Sequence, residues 1–390
     1  MTHNPEITAG LYIHIPFCKK KCFYCDFYSI TDLARIPAFV AALEKEMQLA
    51  SRVPLVFDTV YIGGGTPSML EAADVARIID LVFKYFKIMS GAEITMEVNP
   101  GTTTLPDLAD YRSVGVNRLN IGVQSFHPEN LKFLDRVHTA EQALACLEWA
   151  RQAGFSNIGL DLIYGLPAQD PDYWQEDLAR AVDIGTEHLS CYMLTREAGT
   201  PLDKAVAAGR IQMAHEAMLR ELFETTIDYL TGNGFLHYEI SNFAHRVAES
   251  GSPWLSRHNL KYWSMAPYIG LGPSAHSFLE PKRYWNHRSV PKYFQGLQAG
   301  KLPIEEKETL TREQLLMEAI YLGFRTAKGI DLSVLKSKFG MDFSTHFSEV
   351  IAEFKKEGLI KLSESHCALT VKGMALLDSI TAAFTSQDLS

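Results

Sequence analysis

Apolar runs of strand length alternate with longer stretches of helical period along the first 240 residues. The short runs are "LYIHIPF", "FDTVYIGG", "EITMEVNP", "RLNIGVQSF", "NIGLDLIYG" and "HLSCYMLT". Between them lie "IPAFVAALEKEMQLASRV", "AADVARIIDLVFKYFK" and "EQALACLEWARQAGF", whose apolar positions recur at helical spacing. Gly and Pro punctuate the strand ends. Strand and helix alternating about six times predict parallel βαβ units. Six units are too few to close an eight-stranded barrel. The expected fold is therefore α/β, an open, partial (β/α)6 barrel of TIM type, with a doubly wound sheet as the alternative. A long amphipathic helix is predicted from about 210 to 245, leading into "FLHYEISNFA". Past "KLPIEEKETLTREQ" the pattern changes to helices, a short strand, a polar turn and a second strand ending in "LTVKG". That order predicts a smaller C-terminal winged-helix-like α+β domain, read as a packing or lid domain. The expected division is 1–240 for the barrel, 241–305 for a segment and linker rich in aromatics and His, and 306–390 for the C-terminal domain.

Composition narrows the class. Hydrophobic residues make up 47% and charged residues 21%, an ordinary globular profile with room for a large core. The net charge of -9 argues against a general nucleic-acid-binding surface. No apolar run reaches the ~18 residues that a membrane span needs. The opening "MTHNPEITAG" lacks the basic and apolar regions of a signal peptide. The expected location is the reducing cytoplasm, where a tight cysteine cluster points to a metal site rather than to disulfides.

That cluster is "HIPFCKKKCFYCDFYSI", with Cys18, Cys22 and Cys25 spaced C-x3-C-x2-C after the first strand. One reading is structural zinc with His14 or Asp26 as fourth ligand, although zinc usually takes two separated ligand pairs. The other is a [4Fe–4S] cluster, which normally takes four thiolates. Three would leave one iron open to a small ligand. Other chemistry-bearing residues also follow strands: Gly63 to Pro67 after the second, Asn99 and Pro100 after the third, Gln124 at the end of the fourth. Ligands of parallel α/β folds bind at these carboxyl ends, so the motifs are expected to converge.

The cysteine spacing resembles the cluster loop of the radical S-adenosylmethionine superfamily, and "GGGTP" resembles its glycine-rich turn. In that superfamily S-adenosylmethionine (SAM) chelates the open iron. The order of "YIHIPFCKKKCFYC", "GGGTPS", "EVNP", "GVNRLNIGVQSF", "LDRVHT" and "LDLIYGLP" is similar to the oxygen-independent coproporphyrinogen III dehydrogenase family. The resemblance implies SAM contacts from Tyr12, Tyr24, Gly64, Gly65, Thr66, Glu97, Gln124, Arg136 and Asp161. Arg136 would pair with the methionine carboxylate, and Glu97 and Asp161 would accept from amino or ribose hydroxyl groups.

Two departures separate the chain from the dehydrogenases. Phe27 stands where they carry a fourth cysteine, and only eleven residues precede Tyr12. "YMLTREAGTPL", "YEISNFA" and "RHNLKYW" resemble a sister branch, the HemW-type haem chaperones. This resemblance implies haem as cargo, an acceptor haem protein of the respiratory chain, contact with the membrane surface during transfer, and leaves room for a homodimer. It singles out His258, Asn259, Tyr262 and Trp263 as a haem-related motif, with His258 as a candidate axial ligand and the two aromatics as flat faces beside the macrocycle. The alternative is that His258 is a loop or capping residue and Tyr262 and Trp263 are core aromatics. His237, His245, His276 and His287 leave the axial ligand open, and Cys146, Cys191 and Cys367 read as buried core thiols.

Overall fold

The computed structural model describes residues 8–246, 251 and 253–385. The expected βα alternation appears as β1 (Ala9–Ile15), α1 (Ile36–Ala50), β2 (Val56–Gly64), α2 (Ala72–Tyr85), β3 (Lys87–Val98), α3 (Leu105–Ser113) and β4 (Arg118–Gln124). It continues with α4 (Pro128–Phe133), α5 (Ala140–Gln152), β5 (Ile158–Tyr164), α6 (Pro171–Ile184), β6 (His188–Met193), α7 (Pro201–Ala207) and α8 (Glu216–Gly232). Strands β1 to β6 lie side by side in chain order and pair in parallel. A doubly wound sheet would reverse its strand order at a switch point. None occurs among these six, so the open barrel is the fold. The helix expected from about 210 to 245 is shorter. It ends at Gly232, and Gly234 at φ 87° turns the chain into a strand.

The sheet does not stop at residue 240. β7 (Phe235–Glu239) and β8 (Asn242–His245) form a hairpin on β6, and β8 is antiparallel to it. On the other side, α9 (Arg257–Trp263) leads into β9 (Tyr268–Leu271), which runs parallel to β1. β10 (His276–Leu279), β11 (Lys282–Asn286), α10 (Val290–Gln298) and β12 (Ile304–Thr309) follow, giving one sheet of twelve strands. The segment expected as a linker thus extends both flanks of the barrel. Beyond it come α11 (Arg312–Arg325), β13 (Ile330–Asp331), α12 (Leu332–Phe339), α13 (Phe343–His346), α14 (Ser348–Lys356), β14 (Ile360–Leu362) and β15 (His366–Leu369). This helix–strand–helices–strand–strand order, with sheet order β13-β15-β14, is the winged-helix arrangement. No helix among the described residues is long and apolar enough to cross a membrane.

Side chains alternate across the barrel strands. Leu11, Ile13, Val60, Ile62, Ile94, Met96, Leu119, Ile121, Leu160 and Leu162 belong to the continuous core under the outer helices. The intervening residues are largely polar and meet across the barrel interior. Tyr12 stacks on Tyr61 with ring centroids 6.2 Å apart, the Tyr61 hydroxyl donates to Glu97, and Asn120 donates to Asp161. Parallel sheets usually read as apolar on both faces. Here the inner face is a polar lining open at the carboxyl ends of the strands.

Candidate functional site

The cysteine loop leaves β1 and is tied back to the sheet by its own backbone. Cys18 N–H donates to the Ile30 carbonyl at 3.0 Å, and Ile30 N–H to that of Pro16 at 2.8 Å. Gly65 and Thr66 N–H groups donate to the Ile15 and Phe17 carbonyls at 2.8 and 2.7 Å, which joins the glycine turn to the same loop. Under the loop, Phe23 and Tyr24 pack on a small apolar cluster of Leu134, Ile163, Leu166, Leu194 and Leu202. All six cysteines are free thiols, with Cys146, Cys191 and Cys367 buried in the core as expected.

Cys18, Cys22 and Cys25 are half-buried. Burial pushes the Cys25 thiol up to about 11, and the neighbouring Cys22 and Cys18 sulfurs add to the shift. Among the described residues, no three His, Cys, Asp or Glu side chains converge on a point as a single metal ion requires. The zinc reading also lacks its fourth ligand. His14 uses both ring nitrogens, on the Tyr12 hydroxyl at 3.0 Å and the Tyr28 carbonyl at 2.8 Å. Asp26 is paired with Arg288 at 2.9 Å.

Around this loop the strand ends build a cradle. Gly64 is left-handed at φ 112°, and a Cβ there would sit 2.6 Å from His14 Nδ1. A Cβ on Gly65 would lie 2.7 Å from the Phe17 carbonyl oxygen and 3.1 Å from Cys18 Sγ. Only glycine lets the turn come this close to the thiols. Thr66 Oγ1 donates to Cys18 Sγ at 3.4 Å. Glu97 accepts from Tyr61 OH at 2.9 Å and from Gly64 N–H at 3.1 Å. Burial, together with the facing Asp161, raises Glu97 to about 7.

Gln124 ends β4 at φ 71°, a strained conformation for a residue with a side chain and one that clusters at functional sites. Arg136 Nη2 donates to the Gly122 carbonyl at 2.7 Å and Nη1 to Cys22 Sγ at 3.6 Å, and Tyr24 lies beside its guanidinium. Asp161 takes Asn120 Nδ2 on one oxygen at 2.6 Å. Its Oδ1 and Arg136 Nε have no hydrogen-bond partner among the described residues. A buried polar atom left this way is normally met by a ligand or water. The nine residues assigned to SAM by resemblance therefore come together at one mouth, beside the three thiols.

The second motif reaches this lining only from below, where the His258 ring lies 6.5 Å from that of Tyr12. α9 sits at the opposite, amino-terminal end of the strands, with Glu93 accepting from the Arg257 and His258 N–H groups at 3.1 and 3.0 Å. His258 plugs the barrel interior from below, stacked on Tyr61 at 5.1 Å. Its Nδ1 bonds Thr59 Oγ1 and its Nε2 the Tyr262 hydroxyl, both at 2.9 Å. With both nitrogens engaged and the ring 1% exposed, His258 is an interior hydrogen-bonding residue here, not an open axial ligand. Asn259 N–H donates to Ser256 Oγ at 3.4 Å, capping the helix. Trp263 lies 4.3 Å under Arg325, which pairs with buried Glu239 and so fastens the motif to α11.

The sequence reading missed Tyr61 and Asn120, which bond Glu97 and Asp161, and took His14, which bonds Tyr12, only as a candidate zinc ligand. It also missed wholly buried Arg118, whose positive charge faces Glu97 and Asp161 from lower in the barrel. Each sits two residues from an assigned site residue on its own strand or faces one across the lining. The period-two alternation was the available signal.

The sequence pattern of the Radical SAM superfamily matches residues 12–181, and that of the HemN C-terminal domain matches residues 310–376. The chain is 32% identical over 381 residues to a Bacillus subtilis protein named heme chaperone HemW, covering 96% of this chain and 99% of that one. A Mycobacterium tuberculosis protein of the same name is 33% identical over 383 residues, covering 96% and 94%. Among solved structures, coproporphyrinogen III oxidase (HemN) from Escherichia coli, described as a radical SAM enzyme, superposes with a TM-score of 0.83. It is 25% identical, covering 99% of this chain and 92% of that one.

Proposed function

We infer the function from one premise: the chain belongs to the radical SAM superfamily and, within it, to the family of the HemW haem chaperones. Superfamily membership implies a [4Fe–4S] cluster and SAM. In this reading Cys18, Cys22 and Cys25 hold the cluster, which supplies one-electron reducing chemistry when bound. Arg136 takes the SAM carboxylate with its fork, which still has an unpartnered Nε. Glu97 and the Gly64–Gly65–Thr66 turn take the amino group. Asp161, with Oδ1 free, takes a ribose hydroxyl. Tyr12, Gln124 and Tyr24 complete the walls around the nucleoside.

The protein carries haem and passes it to an acceptor haem protein. The observation that carries this reading is the end-to-end match to proteins named haem chaperones, spanning 99% of the Bacillus relative. Phe27 supports it. The residue is 68% exposed in the cluster loop, at the position where the dehydrogenases have their fourth cysteine. Residues 258–263 stay with the haem-related role, but His258 serves it from inside the fold. The acceptor is read by family resemblance as a respiratory protein, met from the cytoplasmic side of the membrane.

A second reading, oxidative decarboxylation of coproporphyrinogen III, is favoured by the TM-score of 0.83 to the oxidase. Anaerobic incubation of cluster-loaded protein with SAM, a reductant and coproporphyrinogen III separates the two. The carrier reading expects no protoporphyrinogen above the background without protein. Stoichiometric turnover would replace it with the enzyme.

A further inference from the structure

On the side of α9 away from the barrel interior, a cavity of about 280 Å³ opens between α9, the strands β9 to β11 and α11. Tyr262, Tyr268, Phe278 and Tyr321 supply aromatic walls, Met265 supplies a thioether, and Leu322, Arg283 and Glu318 complete the lining. The Tyr262 and Tyr268 rings meet edge to face at 4.8 Å, and Tyr268 lies 6.2 Å from Phe278. Arg283 lies 5.6 Å from the centre of the Phe278 ring. Its Nη2 is on Glu318 at 2.7 Å and its Nη1 on Glu308 at 3.3 Å, which leaves further donors of the guanidinium for another acceptor. Outside the cavity, Met317 stands one turn before the wall residue Tyr321 on α11, and the two are 38% and 37% exposed. Apolar surface thus continues from a walled slot onto an open helix face.

We infer that this slot, and not the His258 imidazole, receives the haem; the inference rests on the carrier reading above and goes beyond it by naming the place and the donor type. The ligand is a flat aromatic macrocycle with an iron at its centre and carboxylates on one edge. Aromatic rings match its faces and edges. Met265 and the phenols of Tyr268 and Tyr321 are donors of the kinds that hold haem iron in proteins, whereas the His258 nitrogens are committed inside the barrel, Nε2 to the Tyr262 hydroxyl. Arg283 stands in the wall for a carboxylate. The volume falls below the roughly 300 Å³ at which sites that enclose a whole ligand begin. The slot takes one edge of the macrocycle and leaves the remainder over Met317 and Tyr321, where an acceptor protein reaches it.

The test is haemin titration of the full-length protein and of three variants, followed by the Soret band. Leu322→Trp places an indole in the slot and is expected to weaken binding at least tenfold. Tyr321→Ser removes an exposed wall with no core role and is expected to weaken it severalfold, so the test survives if the first variant folds poorly. His258→Gln is expected to bind with the wild-type Soret position, because the iron donor is not imidazole. Wild-type affinity in both Leu322→Trp and Tyr321→Ser overturns the assignment, as does a shifted or lost Soret band in His258→Gln. Failure of the wild-type protein itself to bind haemin overturns the carrier reading and this assignment together.

Discussion

Replacing Cys18, Cys22 or Cys25 by serine, one at a time, is expected to yield a protein that stays colourless after anaerobic reconstitution with iron and sulfide. The broad visible absorbance and close to four irons per chain expected of the wild type should fall to background in each variant. The effect is near total because, in the proposed reading, three thiolates from one loop are the whole protein contribution. The loop has no spare ligand within reach. His14 is bonded at both nitrogens, and Asp26 is paired with Arg288. Serine keeps the volume, and the loop is held by backbone bonds from Cys18 to Ile30 and from Gly65 to Ile15, so the fold should persist. Serine at Cys146 or Cys367 should leave the iron content unchanged, because those thiols lie in the core. Iron and sulfide analysis, with circular dichroism for folding, reads the outcome. Full iron content in any of the three serine variants would remove that cysteine from the ligand set.

The second large effect is at Arg136. Arg136→Met is expected to weaken SAM binding roughly 30- to 150-fold, the loss that follows when a charge-assisted bidentate pair of about 2–3 kcal/mol is removed. Lysine should recover only part, since a point charge cannot reproduce the fork. Iron content should not change, which separates a SAM role from support of Cys22, whose sulfur lies 3.6 Å from Arg136 Nη1. The same cradle carries a pH dependence. Glu97 is raised to about 7, and its ionised form is the better acceptor for the amino N–H groups of SAM. A raised carboxyl is protonated below its pKa, so affinity should be about tenfold weaker at pH 6 than at pH 8. Glu97→Gln should bind weakly with a flat profile. Equilibrium titration of SAM at both pH values checks each arm, and an unchanged affinity in Arg136→Met would take that residue out of the cradle.

Much of this was legible in the chain. β-branched runs separated by helical periods declared six parallel strands. The order of the motifs after those strands placed the cysteines, the glycine turn, Glu97, Gln124, Arg136 and Asp161 at one mouth. What stayed hidden has identifiable causes. Buried parallel strands are expected to be apolar on both faces, so the polar members of β1 to β5 looked like isolated candidates, not a continuous lining. Tyr61, Asn120 and Arg118 were passed over for that reason, although Glu97 and Asp161 stand on the same alternation. The reach of α8 was overstated because an amphipathic pattern does not say where a helix stops, and the stop came from Gly234 and the strand after it. His258 was left between two readings for a different reason. A His beside Tyr and Trp reads alike whether it faces a ligand or fills a barrel. The bonds to Thr59, 199 positions away, and to Tyr262 that settle its surroundings are tertiary. The flanking segment looked like a linker because its strands are only four to six residues long and pair at the sheet's edge, where local pattern is weakest.

The most direct test of the central claim is the transfer of haem itself. Protein loaded with its cluster, SAM and one equivalent of haem is mixed anaerobically with an apo haem protein from a respiratory membrane, and the acceptor's own spectrum is followed. The account predicts that the carrier's Soret band decays as the acceptor's grows, faster than from free haemin and with no porphyrin product formed. An acceptor that fills no faster than with haemin alone would contradict it.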